Sequence, residues 1–327
     1  MSISRRTFVT TLAAAPLTSL LARPALAAYP DRSIRLIVPF AAGGNADFVA
    51  RLTSEGMSQA LGQPIVIEFR TGAGGSLGAE QAARATPDGY TLLTGSNGPL
   101  TVNPFVQAKL GYDPLTDFVP IGLCTETPHC LVVHETVPAK TLPELVALSK
   151  QKPVTIGIAG TGSATHMTLA RLIAANGSNF TAVPYRGGGA LVPDMLAGAI
   201  NGAMTEISTA LPHYKGGKIH VAAIAAAARL PQVPDVPTMG EVGVKDFLAA
   251  SYVGLLVPAK TPADIVAVLE GALAKSLSNP AAKEKFVASG AVMAAVDLQT
   301  SKGFAAYLKA EYERSREAAK VAGLTPQ

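Results

Sequence analysis

Four times in this chain a short β-branched run breaks into a glycine-rich turn and then into a helical pattern, and this device constrains the fold more than any other feature. Ile34–Val38 runs into Phe40-Ala41-Ala42-Gly43-Gly44-Asn45, and Ile65–Phe69 into Thr71-Gly72-Ala73-Gly74-Gly75-Ser76. Val154–Ile158 runs into Ala159-Gly160-Thr161-Gly162-Ser163, and residues 181–185 into Arg186-Gly187-Gly188-Gly189. Strand, turn and helix in that order predict a parallel sheet with crossover helices. The device occurs twice early and twice after residue 153, so two lobes are expected, as the length of 327 residues also favours. A third early strand is expected at 90–94, after the turn Thr86-Pro87-Asp88-Gly89, and a short strand at 131–133. Thr141-Leu142-Pro143-Glu144 reads as a capping box. Beyond the proline-rich loop at 231–237, residues 252–257 read as a strand that returns to the first lobe, and a charged helix is expected over 302–321.

The turns also point to function. Exposed amides and helix dipoles at such places favour anions, and glycine removes the side chain that would block a ligand. In open α/β sheets ligands bind beyond the carboxyl ends of the strands. One such turn alone is a tight connection; four that line one cleft make a binding site. A nucleotide is disfavoured, because Gly72-Ala73-Gly74-Gly75-Ser76-Leu77-Gly78 has the wrong glycine spacing and follows the second strand, and no turn ends in the Gly-Lys-Ser/Thr of a phosphate loop.

The N-terminus changes the reading of the charge. Ser4-Arg5-Arg6-Thr7-Phe8-Val9 precedes an Ala/Leu-rich stretch from Leu12 to Leu21 and then Ala25-Leu26-Ala27, which reads as a twin-arginine export signal over 1–27 cleaved after Ala27. Its removal takes three of the 27 basic residues, leaving 24 against 23 acidic ones, a net charge of +1. A periplasmic protein without a membrane span is therefore expected, and nucleic acid is excluded as partner for want of a basic stripe. Cys124 and Cys130 enter an oxidising compartment and could pair across their five-residue gap, but if both sit on one extended strand they lie too far apart to bridge.

Catalysis has little support in these residues. Ser163 lacks the second glycine of a nucleophile elbow, and His129, His134, His213 and His220 do not form a metal set, so neither cofactor nor metal is expected. His166 reads either as a ligand contact or as a brace for the preceding turn, with bracing favoured. Asp47, at the start of the first helix, reads as a cap or as a partner for a ligand amine or hydroxyl. Arg186 is either a carboxylate partner or a solvated residue, and Tyr185 either core wall or pocket hydrogen bond.

The chain resembles the tripartite tricarboxylate transporter receptor family, the Bug proteins. The resemblance runs through Tyr29-Pro30-Asp31-Arg32, Val38-Pro39-Phe40 with Gly43-Gly44 and Asp47, Leu61-Gly62-Gln63-Pro64, and Gly72-Ala73-Gly74-Gly75. It continues through Pro87-Asp88-Gly89-Tyr90, Tyr112-Asp113-Pro114, Gly160-Thr161-Gly162-Ser163 with His166, Tyr185-Arg186-Gly187-Gly188, Asp235-Val236-Pro237-Thr238 and Pro258-Ala259-Lys260-Thr261-Pro262. It implies an α/β fold of the periplasmic-binding-protein type II, two α/β lobes with a ligand cleft between them. One lobe is expected over 28–128 and 252–327, the other over 129–251. It further implies a receptor for a small carboxylate, held by Phe40, Ala41, Gly43, Gly44, Asp47, Ala73 and Gly74 from the first lobe. Thr161, Gly162, Ser163, His166, Tyr185, Gly187 and Glu206 are expected to face them from the second. The implied partner is a tripartite tricarboxylate membrane transporter or a periplasmic sensor domain; the rival reading is an enzyme using Asp47, Glu206 or His166 as acid or base. The chain departs from the family in having Ala41-Ala42 where two prolines are usual, Phe69 for a common asparagine, Met204-Thr205 with Glu206 beyond, and Tyr252 for a frequent tryptophan. Phe69 and Met204 read either as marks of a more apolar ligand or as core.

Overall fold

The first half of the molecule is assembled around β1 (Ile34–Val38), which has parallel neighbours on both edges, β2 (Ile65–Phe69) and β3 (Thr91–Ser96), and is buried on both faces, Ile34, Leu36 and Val38 in one core cluster and Ile37 in another. The computed structural model describes residues 29–326, so the export signal expected over 1–27 lies outside the described residues. The helices α1 (Asn45–Leu61) and α2 (Ser76–Ala83) cross over between these strands, and α3 (Asn103–Val106) follows a single wide turn over Gly98–Val102.

Next comes β4 (Phe118–His134), a 17-residue strand where the sequence predicts only three residues. Pro120, Gly122 and Pro128 mask it in the sequence, and the structure absorbs the first two at places where the register shifts. The second half repeats the opening: α4 (Leu142–Ser149) with the full Thr141/Glu144 capping box, β5 (Val154–Ile158), α5 (Ala164–Asn176), β6 (Phe180–Pro184), α6 (Gly188–Leu196), β7 (Gly202–Glu206), α7 (Ile207–Lys215) and β8 (Ile219–Ile224). Then β9 (Ala250–Pro258) returns to the first half, followed by α8 (Ala263–Ser278), α9 (Pro280–Ala288), the short β10 (Val292–Met293) and α10 (Ser301–Val321).

The strand order is β2-β1-β3-β9-β4-β7-β5-β6, with β8 and β10 also pairing to β4. From Phe118 to Pro128 strand β4 pairs with β9, and from His129 to Val133 it pairs with β7, so one strand changes sheets at Pro128 and His129. Each half has its own core. Val49, Leu255, Leu269 and Phe286 belong to the first, and Leu131, Ile156, Leu172 and Met204 to the second. Two of the departures are thereby core residues: Phe69 packs on the first core, and Met204 is fully buried in the second. Tyr252 is buried against Phe304 and Tyr307.

Cys124 and Cys130 both lie on β4, buried and unpaired. Six steps along a strand separate their Cα atoms by roughly 20 Å, far beyond disulfide reach. Burial pushes the Cys124 thiol up to about 12 and also raises that of Cys130. Neither thiol is expected to react with a thiolate-selective reagent in the native protein, and both should react in denaturant; prompt native labelling of either would contradict this packing.

Candidate functional site

The four glycine-rich turns meet. They form a seam where backbone from the two halves approaches with almost no side chain between: Ala41 N donates to the Arg186 carbonyl at 2.8 Å, and an ideal Cβ placed on Gly44 would stand 2.9 Å from the Gly189 nitrogen. A Cβ on Gly187 would stand 2.7 Å from the Ala41 nitrogen. On Gly74, which has φ +60°, it would overlap the Thr161 carbonyl oxygen. These glycines therefore let the halves close on each other as much as they leave room for a ligand.

Closure leaves two chambers, divided by Phe40 and Ala159, which line both. The inner one is a partly enclosed cavity of about 30 Å³ lined by Phe40, Gly44, Asn45, Ala46, Ser96, Gly98, Ser163, Ala164, Thr165, Gly188, Glu206, Ser251 and Val253. The outer one, about 280 Å³ and more open, is lined by Gly72–Gly75, Gly160, Thr161, Pro184, Tyr185 and Arg186.

Three helices begin at the inner chamber. The amides of Asn45 and Ala46 in α1, Ala164 and Thr165 in α5, and Gly188 and Gly189 in α6 have no acceptor among the described residues. Unpaired first-turn amides and the positive ends of three helix dipoles favour a negative group between them. Each helix starts there for a local reason. Gly44 supplies the extended N-cap backbone of α1 at φ −94° and ψ 179°. The Ser163 hydroxyl caps α5 by accepting from His166 N at 3.2 Å. Gly187, at φ +133°, makes the turn into α6.

Several predicted site residues shape this cradle and do not line the inner chamber. Asp47 accepts from Gly43 N at 2.8 Å and pairs with Arg51 at 2.8 Å, so both the Asp47 carboxylate and the Gly43 amide are committed within the first helix turn. The Ala41 amide is spent on Arg186. His166 accepts from Gly162 N at 3.2 Å through Nδ1, so this nitrogen is engaged with its own turn. Tyr185 turns its hydroxyl to Asp194 at 2.7 Å, and the Arg186 side chain is exposed. Of the 14 sequence candidates, Phe40, Gly44, Ser163 and Glu206 line the inner chamber, and Phe40, Ala73, Gly74, Thr161 and Tyr185 line the outer one.

Residues the sequence did not flag complete the inner chamber. Asn45 bridges the halves, its Oδ1 accepting from Thr127 at 3.1 Å and from Ser208 at 2.9 Å. Ser96 and Ser251 sit on the neighbouring strands β3 and β9, where a lone serine carries no periodic signal. Glu206, the residue before α7, is buried, and its Oε1 accepts from Ser251 Oγ at 2.8 Å. Ser251 in turn lies 2.8 Å from His129 Nε2, and His129 Nδ1 lies 2.8 Å from Thr168 Oγ1. Burial and the positive charge of Arg171 push His129 down to about 3, so it is a neutral ring. Burial raises Glu206, against the hydrogen bonds from Ser251, its own amide and Thr205.

A family model described as tripartite tricarboxylate transporter family receptor matches residues 49–321. The chain belongs to this family. It is 32% identical over 281 residues to protein BugT of Bordetella pertussis, covering 85% of this chain and 86% of that protein. Among solved structures it is similar to MatC of Rhodopseudomonas palustris with bound malate, with 33% identity, a TM-score of 0.85 and coverage of 89% of this chain and 99% of the other. It is likewise similar to another R. palustris protein determined with adipate, with 30% identity, a TM-score of 0.86 and coverage of 91% and 100%. The two-lobed α/β architecture expected from sequence is the architecture of these neighbours, and the protein is a solute-binding receptor of the same kind. No helix among the described residues is long and apolar enough to cross a membrane.

Proposed function

We propose that this receptor works in the periplasm, where it captures a small carboxylate between its lobes and delivers it to a membrane transporter of the tripartite tricarboxylate type. The observation that carries the reading is the convergence of three helix starts, with the unpartnered amides of Asn45, Ala46, Ala164, Thr165 and Gly188, on one chamber between the two halves. The ligands named for MatC and for the adipate-bound relative are both carboxylates, and an anion is what this cradle favours. Export by the twin-arginine route with cleavage after Ala27 would place the protein there.

In this reading Phe40, Gly44, Ser163 and Glu206 touch the solute, joined by Asn45 and Ser96. Ala73, Gly74, Thr161 and Tyr185 form the mouth, and Ala41, Gly43, Asp47, Gly162, His166 and Gly187 hold the cradle in shape. The lobes divide as 28–128 with 252–327 and 129–251, a division supported by the change of sheet at Pro128 and His129. The cleft binds and does not catalyse: two of the three acid/base candidates, Asp47 and His166, are tied to backbone amides of their own turns.

Native mass spectrometry of protein taken gently from the periplasm is the direct test. The expected result is an intact carboxylic acid released on denaturation. A nucleotide or phosphate ester in its place, or chemical conversion of an added carboxylate, would overturn the reading.

A further inference from the structure

The inner chamber contains one group that an anion cradle does not need. Five amides and three helix starts favour a negative ligand, yet Glu206, a residue only 8% exposed, lines the same chamber. Two carboxylates that share one desolvated space repel strongly. Glu206 is also held in a fixed orientation. Because the Ser251 hydroxyl donates to Oε1, it has its lone pairs left for His129, which must then carry its proton on Nε2 and take the Thr168 hydroxyl at Nδ1. The chain Thr168, His129, Ser251, Glu206 thus runs one way and ends on the carboxylate.

The other carboxylate oxygen is poorly served. The side-chain bond to Oε2 is a long one, from Thr205 Oγ1 at 3.4 Å, and the oxygen lies where a Cβ on Gly188 would stand 3.4 Å away, beside the first turn of α6. A buried acceptor left in this condition is costly unless the ligand supplies a donor. The sequence pointed to Asp47 for recognition of a ligand amine or hydroxyl, but Asp47 does not line the chamber: its Oδ2 accepts from Gly43 N and its Oδ1 is ion-paired to Arg51; Glu206 is the carboxylate in the lining.

We propose that Glu206 is the specificity-determining residue of the chamber and that the solute is a carboxylate bearing its own hydrogen-bond donor, a hydroxyl or an ammonium, which Oε2 accepts. This inference rests on the carboxylate reading of the chamber. Ser251 and His129 are positioning residues that aim Oε2 by holding Oε1. The donor offsets the like charge of Glu206, so the same solute without its donor meets both the repulsion and the unsatisfied acceptor.

The test is calorimetry of the mature protein with matched solutes: propionate, lactate and alanine; succinate, malate and aspartate; phenylacetate and mandelate. In whichever set binds, the donor-bearing member is expected to bind at least tenfold tighter than its parent, with the hydroxyl and ammonium members separating the two donor types. Glu206→Met, which removes the acceptor at similar volume, should bring the members of that set within threefold of one another. Ser251→Ala should lower the preference several-fold without abolishing carboxylate binding, and provides the measurement if Glu206→Met does not fold. A parent acid that binds as tightly as its hydroxy or amino counterpart, or a preference that survives in Glu206→Met, overturns the inference and leaves the carboxylate reading standing. If no carboxylate binds while another anion does, both fall.

Discussion

Replacing Gly189 by alanine is expected to weaken solute binding at least a hundredfold while leaving the fold as stable as the native protein. Gly189 is the second residue of α6 and its φ is not positive, so alanine suits its backbone and favours the helix by up to about 1 kcal/mol. The obstacle lies across the cleft. An added Cβ would overlap the Ala42 carbonyl oxygen and stand 2.8 Å from the Gly44 nitrogen, both in the other half of the molecule. With the halves apart nothing is strained, so the substitution acts against closure and not against folding. A hundredfold loss corresponds to about 2.7 kcal/mol, modest for an overlap with backbone that has no flexible side chain to yield. Gly44→Ala should behave similarly, and Gly271→Ala, in the interior of α8 with open space around its Cβ, should leave affinity unchanged and the fold at least as stable. The measurements are titration calorimetry, the melting temperature, and small-angle scattering with saturating carboxylate, in which the native protein contracts and Gly189→Ala does not. Native-like affinity in Gly189→Ala would mean that this seam is not formed when solute is held.

Acid should cost the native protein stability through His129, by several kcal/mol. The ring is enclosed between β4, β9 and α5 with both nitrogens hydrogen-bonded, and its folded-state value is pushed down to about 3 from 6.5. The unfolded chain therefore takes up a proton below pH 6.5 that the folded chain refuses, and stability present above pH 6.5 is lost as the pH falls toward 3. Each pH unit in that window costs about 1.4 kcal/mol from this one site. Glu206 acts in the opposite sense. Its raised value lets the folded form take a proton before the unfolded one, which adds stability on acidification above pH 4.5. The difference between the native protein and His129→Gln isolates the histidine: denaturant melts from pH 7 to pH 4 should show a steeper loss for the native protein. Parallel curves would mean that the ring titrates normally and that water reaches it.

Much of the scaffold was legible because it is local. Ile34–Val38, Ile65–Phe69 and Val154–Ile158 are continuous apolar runs bounded by glycine or proline, and they form strands with those limits. The Thr141 box is read from four consecutive residues and is present with both of its hydrogen bonds. Legibility failed where geometry is made by distant partners. Most of β4 was hidden because its prolines and glycine suit a strand only where pairing irregularities accommodate them. Ser96, Ser251 and Asn45 reach one chamber from three elements, and only the fold brings them together. The turns signalled an anion site through their glycines, yet which amides remain available was decided by neighbours. Gly43 gives its amide to Asp47 and Ala41 gives its amide to Arg186, whereas Asn45 and Ala46 keep theirs.

The placement of β9 between β3 and β4 has a consequence for the order in which this chain acquires structure. The first half cannot complete its sheet when its own first hundred residues have emerged, because the strand that fills the middle, Ala250–Pro258, is joined to β3 across more than 150 intervening residues. The second half is nearly continuous in sequence and needs no such loan. Closing the long loop carries an entropic penalty that is met only once β9 arrives, and such non-local pairings form late. The lobe that begins the polypeptide is thus the one that finishes folding last, and until then the unpaired edges of β3 and β4 stand open to other chains.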